Sequence, residues 1–288
     1  VDKLSEYCKV NNLDYYIMGA PKTVDNDLNL TDHSPGFGSA AKYVATTISE
    51  LERDINVYDV PAVTIVEVMG RNAGWLTAAS ALSRVNGGSG ADLIYLCEKE
   101  LDYDKFIQDV KDKLAKKPGI LVAISEGLKD TSGAYVSDRT SSGAVDNFGH
   151  KYVAGAARAL EQVVREEIGC KVRAIELNLM QRSAAHIASE TDIMESLMLG
   201  QRAFNGAVNG ETAKMSAIKR LSNDPYRVEF VLVPVSEVAN HEQKVPLDWI
   251  TPEGNDVTEE MMTYLKPLIV GETNIKYENG IPKQYRIY

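Results

Sequence analysis

The chain is poor in the residues that announce several function classes. Its three cysteines, Cys8, Cys97 and Cys170, are widely spaced and form no CxxC pair. That excludes a disulfide framework or a paired-cysteine zinc site, and it fits reduced, partly buried thiols in the cytosol. The four histidines, His33, His150, His186 and His241, are isolated, so no HExxH-type metal spacing exists. Asp32-His33-Ser34 offers triad residue types, but sequence neighbours do not easily present a relay, and no GxSxG elbow accompanies them. These three are read as structural or surface residues. No run of about 18 apolar residues occurs, and the first residues lack a signal peptide's basic and apolar regions. The formal net charge is -10 with no basic block, which argues against non-specific nucleic-acid binding. Short repeats and low-complexity linkers are also missing. With 44% hydrophobic and 25% charged residues over 288 positions, the expectation is a soluble, cytoplasmic protein of one large or two medium domains.

Strand-like apolar runs alternate with helical periodicity. Leu4 and Cys8 mark a first helix, and Tyr15-Tyr16-Ile17-Met18 reads as a strand. Val44, Ile48, Leu51 and Ile55 recur at i, i+4, i+7 and i+11, the spacing of an amphipathic helix. The run 62–68 is rich in β-branched residues and predicts a strand, 74–84 a helix, 92–96 a strand and 119–124 another. Ile107, Val110 and Leu114 share one helix face, as do Val153, Ala157, Leu160, Val164 and Ile168. A strand follows over 172–175. The stretch 129–149 reads as a surface loop or small hairpin. Beyond 240 the pattern weakens into an irregular extension with a short helix near 258–266. This βαβα rhythm predicts mainly parallel sheets covered by helices on both faces.

The chemistry concentrates at predicted strand ends. Pro21-Lys22-Thr23-Val24-Asp25-Asn26-Asp27 packs two carboxylates, a hydroxyl and an ammonium onto a turn after a strand. Those groups can deprotonate an alcohol, hold a divalent cation and neutralise a phosphate, although an acidic, solvated turn is the plain structural alternative. Met69-Gly70-Arg71 follows the strand 62–68. A guanidinium there, beside a helix start at Gly74, suits a phosphate clamp, whereas the glycine alone only permits a tight turn. Glu126 ends the strand 119–124, where a carboxylate accepts hydrogen bonds from ligand hydroxyls or caps the next segment. Arg173 begins the strand 172–177, and Gln181 and Arg182 follow it.

PKTVDND resembles the catalytic loop of the phosphofructokinases, with Lys22 and Trp75 resembling the pyrophosphate-dependent branch, and VEVMGRNAGW resembles that family's sugar-phosphate segment. The resemblance implies a phosphofructokinase-like α/β fold of two three-layer α/β/α domains with mainly parallel sheets, the first incomplete. Residues 1–36 and about 181–239 would belong to the phosphoryl-donor domain, 37–180 to the fructose 6-phosphate domain and 240–288 to an extension. It implies Asp25 as general base, with Lys22 and Arg71 catalytic beside it. It implies Asp27 as a magnesium ligand, and Thr23, Val24, Met69, Gly70, Arg71, Glu126, Arg173, Leu179, Gln181 and Arg182 at the substrate. Arg173's counterpart reaches across a subunit interface, which implies a homodimer or tetramer. Two positions depart from the family: Ala62 where many members carry an interface arginine, and Leu179 where histidine or tyrosine is usual. The implied reaction transfers a phosphoryl group to the 1-hydroxyl of fructose 6-phosphate. Pyrophosphate is the expected donor and ATP the alternative. A non-catalytic phosphosugar-binding regulatory subunit is the reading from another class, and retention of both Asp25 and Asp27 argues against it.

The family also carries two glycine-rich donor-binding segments upstream of the catalytic loop, and neither occurs in these 288 residues. The expectation is a protein that continues before Val1, with little transferase activity in this chain alone and exposed apolar surface around its first helix and strand.

Overall fold

A computed structural model describes residues 1–57, 59–139 and 155–284. Its centre is a parallel sheet of four strands in the order β3-β4-β2-β5, formed by β2 (Ala62–Val68), β3 (Leu93–Tyr95), β4 (Gly119–Ser125) and β5 (Lys171–Glu176). β2 pairs with β4 from Ala62 opposite Gly119 to Val68 opposite Ser125, and with β5 on its other edge. Every residue of β2 and β4 is buried. That is why both read as unbroken apolar runs rather than alternating ones.

Helices cover both faces. α2 (Phe37–Ile55) buries Val44, Ile48 and Ile55, and Leu51 packs partly buried against the same cluster. α4 (Tyr103–Leu114) and α5 (Ala156–Glu167) close the opposite face through Phe106, Val110, Leu160 and Val164. Asp102 caps α4 by accepting from the Asp104 and Lys105 N–H groups at 2.9 and 3.1 Å. The predicted helix 74–84 is α-helical only as α3 (Trp75–Ala78). It tightens to 3₁₀ geometry over Ala79–Arg84, where Ser80 and Ser83 hydroxyls donate to carbonyls three residues back. The loop expected at 129–149 begins with a bridge between Lys129 and Tyr135 and a 3₁₀ turn at Val136–Arg139. Its remainder, and Val153, lie outside the described residues.

A second sheet has the order β1-β6-β7: β1 (Met18–Gly19) runs parallel to β6 (Lys214–Asn223), which forms an antiparallel hairpin with β7 (Tyr226–Pro234). The strand expected at 15–18 is therefore shorter and later. Tyr15 and Tyr16 are exposed, and the ladder opens at Met18 opposite Lys214. β6 and β7 carry no corresponding expectation from the sequence. α1 (Asp2–Val10) exposes Leu4, Tyr7 and Val10, the apolar surface anticipated there. α6 (Met180–Ser183) follows β5, and α7 (Glu190–Val208) leaves Ile193, Leu197, Phe204 and Val208 exposed. The C-terminal stretch is less peripheral than its composition suggests. Val245, Ile250, Val257 and α8 (Glu259–Leu265), through Met261, Tyr264 and Leu265, belong to the same core as α2. No helix among the described residues is long and apolar enough to cross a membrane.

Candidate active site

Three adjacent strands deliver their carboxyl ends to one place. β2 runs into Met69-Gly70-Arg71, β4 into Glu126, and β5 into α6 with Gln181 and Arg182. The loop after β1 brings Asp25 and Asp27 from the other sheet. Together these groups line a cavity of about 320 Å³ that contains Val24, Asp25, Asp27, Met69, Arg71, Glu126 and Arg182, completed by Asn72 and Ala73. The crevice outside strand carboxyl ends is where open α/β sheets bind ligands.

The approach of two loops depends on glycine. Gly70 has φ +132°, and a Cβ there would meet the Ala73 carbonyl oxygen at 2.3 Å. A Cβ on Gly127 would lie 1.7 Å from the Arg71 carbonyl oxygen, so only glycine lets the turn after β4 touch the turn after β2. That contact sets Arg71 beside Glu126. The Gly70 N–H donates to Glu126 Oε1 at 3.3 Å, and the Met69 N–H to Gln181 Oε1 at 3.3 Å. Gln181, buried, also donates to the Asn178 carbonyl at 3.0 Å, so it braces the turn rather than lining the cavity.

The Asp25 loop is braced internally. Thr23 Oγ1 accepts from the Asp25 N–H at 3.2 Å and donates to Asp27 Oδ1 at 3.1 Å. Thr23 is therefore engaged within the loop and does not line the cavity. Lys22 is exposed and lies in an adjoining cleft of about 670 Å³, which shares Asp27 with the first cavity and includes Gly19, Ala20 and Asn240. The Asp27 carbonyl accepts from the Gln243 N–H at 2.7 Å, and Trp75, buried, donates its indole N–H to the Gln243 carbonyl at 3.0 Å.

The charges are mutually adjusted. Burial pushes the Asp25 carboxyl above its ordinary range, Asp27 adds to this, and Lys22, Arg182 and Arg71 oppose it. Burial likewise drives Glu126 up to about 7, against the Gly70 hydrogen bond, with Glu67 and Asp25 raising it further and Arg71 lowering it. Perturbed carboxyls in a cleft with facing cations are a signature of functional chemistry.

Arg173 and Leu179 are not brought to this cavity. Arg173 pairs with Thr64 in the β2–β5 register, four residues before Val68. At about 3.3 Å per residue that is roughly 13 Å from the strand's carboxyl end. Its guanidinium binds Asp54 at 3.2 Å. Leu179 is 55% exposed at the start of α6. Ala62, buried at the first residue of β2, also lies at the strand end away from the cavity. His33 is buried between Asp32, at 2.7 Å, and Glu195, at 2.6 Å, so it serves a structural network and no nucleophile. Residues unforeseen from the sequence include Asn72, whose amide donates to Glu242 at 2.6 Å, and Asn26. The available signal for Asn26 was an asparagine between two aspartates on a turn, a residue type that tolerates the φ of +57° it adopts here.

Among the described residues no group of three or more His, Cys, Asp or Glu side chains is placed to hold a metal ion. One or two carboxylates facing a ligand pocket suit magnesium, which keeps waters and takes its remaining oxygens from substrate phosphates.

The sequence pattern described as phosphofructokinase matches residues 1–207. The curated pyrophosphate–fructose 6-phosphate 1-phosphotransferase of Halomonas elongata is 39% identical over 265 residues, covering 91% of this chain and 62% of the relative. That of Xanthomonas campestris pv. campestris is 38% identical over 284 residues, covering 98% and 68%. The crystal structure of a pyrophosphate-dependent phosphofructokinase from Marinobacter aquaeolei superposes with a TM-score of 0.86 at 34% identity, over 98% of this chain and 67% of that one. The chain spans about two thirds of the length of these relatives, and over that span its fold is theirs.

Proposed function

The chain belongs to the phosphofructokinase family, and from that premise we propose that the intact protein transfers a phosphoryl group from pyrophosphate to the 1-hydroxyl of fructose 6-phosphate. The observation that carries this reading is the convergence of Asp25, Arg71, Glu126 and Arg182 on one cavity from two sheets. The relatives' names support pyrophosphate over ATP as donor. So does exposed Lys22 in the adjoining cleft, since a compact dianion offers no base or ribose to bind.

In this mechanism Glu126 accepts hydrogen bonds from sugar hydroxyls while Arg182 holds the sugar phosphate. Asp25 takes the proton of the 1-hydroxyl as that oxygen attacks the nearer phosphorus. The new O–P bond forms as the bridging P–O bond breaks, and inorganic phosphate leaves. An acid raised above the ordinary carboxylate range by burial is better matched to this transfer near neutral pH. Lys22 and Arg71 oppose the negative charge spread over the transferring group. Asp27 is the residue that would hold magnesium, which when bound neutralises the donor phosphates. Met69 and Val24 line the sugar cavity, while Gly70, Gln181 and Thr23 brace the loops that form it.

We assign 1–36 and 181–239 to the donor side, because β1 pairs with β6, and 37–180 to the sugar side. Residues 240–268 join the two through the α2 core. Arg173, remote from its own chain's cavity, is assigned to a neighbour's site in a homo-oligomer. The apolar residues exposed along α7 are in keeping with assembly. The free thiols favour a cytosolic location.

The test is Asp25→Asn in the intact protein, assayed with fructose 6-phosphate, magnesium and either donor. We expect kcat to fall by about 10²–10⁴ with KM for the sugar phosphate changed only a few-fold. Near-parental turnover would remove Asp25 from the role, and sugar-phosphate binding without turnover in the parent would favour the regulatory-subunit reading.

A further inference from the structure

Asn26 sits between the two aspartates of the catalytic loop, yet its own side chain faces away from the cavity's chemistry. It is 2% exposed and adopts φ +57°. Both ends of its amide are engaged. Oδ1 accepts from the Ser34 N–H at 3.0 Å, and Nδ2 donates to the Tyr264 hydroxyl at 2.9 Å. The Tyr264 hydroxyl in turn donates to the Asp32 carbonyl at 2.7 Å, so its proton and a lone pair are both committed.

Tyr264 is itself fixed. It is buried on α8, its ring lies 5.2 Å from Trp75 and 5.4 Å from Trp249, and the Arg220 guanidinium stands 4.4 Å above it. Arg220 also donates to the Tyr264 carbonyl at 2.8 Å and to Asp32 Oδ2 at 2.8 Å. A side chain from a helix 238 residues along the chain thus holds the side-chain amide of the residue that joins Asp25 to Asp27.

We propose that Tyr264 is a positioning residue for phosphoryl transfer, its hydroxyl holding Asn26 so that the two flanking aspartates face the cavity. The inference rests on the reaction proposed above. Without the hydroxyl, a buried amide N–H loses its partner and the loop shifts to find another. A displacement near 1 Å at a reacting group costs about 10²-fold in rate. The sugar-binding groups Met69, Arg71, Glu126 and Arg182 come from the other sheet and do not depend on this contact. The loss therefore falls on the chemical step.

Tyr264→Phe keeps the ring packing and removes only the hydroxyl. In the intact protein, well below its melting temperature, kcat is expected to fall about 10- to 100-fold, with KM for fructose 6-phosphate within about threefold. Asn26→Gly tolerates the positive φ and removes the same bond from the other side. Because it also removes the Ser34 contact, it should lose at least as large a factor, and the double variant should be no slower than Asn26→Gly alone. Parental kcat in Tyr264→Phe, or a change in KM alone, overturns the proposal, as does additivity in the double variant. If the parent shows no transfer with either donor, the reaction is refuted and hydrogen exchange decides the contact. Faster exchange confined to residues 20–28 in Tyr264→Phe upholds it, and unchanged exchange there overturns it.

Discussion

Replacing Glu126 by glutamine separates what this carboxylate does for the fold from what it does for the ligand. Burial has moved its pKa from 4.5 to about 7. At about 1.4 kcal/mol per tenfold change in proton affinity, the charged form costs the folded state about 3 kcal/mol, and partial solvent access reduces this to about 1–2 kcal/mol. The folded-state value is raised, so the cost is absent below 4.5, develops as pH climbs from 4.5 to about 7, and is constant above that. Glu126→Gln should therefore raise the melting temperature by roughly 3–6 °C at pH 8 and leave it unchanged at pH 4.5. Sugar binding should move the opposite way. Between pH 6 and 8 the ionised fraction of the parent rises from about a tenth to about nine tenths, and KM for fructose 6-phosphate should fall with it. The glutamine variant loses about 1 kcal/mol of charge-assisted hydrogen bonding, so its KM at pH 8 should be about 5- to 10-fold higher and nearly flat with pH. Calorimetric melts at the two pH values and initial rates across the range measure both. An equal melting shift at both pH values, or a pH dependence of KM that survives in the variant, would refute the reasoning.

Two further substitutions probe the two cleft walls. Lys22→Gly should raise KM for pyrophosphate about 10-fold or more while leaving KM for the sugar phosphate unchanged, because a single charge-assisted contact to the donor is worth about 1.5–3 kcal/mol; initial rates with each substrate varied would show it. Gly127→Ala should cost about 3 kcal/mol in urea denaturation and weaken sugar-phosphate binding together, since its methyl must displace the Arg71 carbonyl.

The site was legible where its chemistry and its backbone signal coincide in a few consecutive residues. Val63 to Val68 reads as a buried strand because it is one on both faces, and Met69-Gly70-Arg71 then falls at its carboxyl end without further information. The same holds for the strand read over 119–124, with Glu126 just beyond it. Beyond 240 the short helix near 258–266 is legible and is α8, but the burial of the stretch is not, because Val245, Val257 and Tyr264 join a core whose other members lie far earlier in the chain. The β6–β7 hairpin carries mixed burial, with half-exposed positions along β7, so it gives neither a clean alternation nor an apolar run. Arg173 shows the opposite difficulty. Its motif resemblance is local, but the strand register that carries it to the far end of β5 is not written in the residues beside it.

The cavity's charge balance explains how a chain of net charge -10 can receive anionic ligands. Three carboxyls, Asp25, Asp27 and Glu126, face Lys22, Arg71 and Arg182 across two adjoining clefts. Two of the three carboxyls are raised by burial, so each holds a proton more readily than an exposed one. At neutral pH Glu126 is half neutral, and the local field is more positive than a count of side chains indicates. In the proposed reaction an arriving sugar phosphate would raise both carboxyls further by like-charge repulsion, and cationic charge held at Asp27 would offset that rise at Asp25.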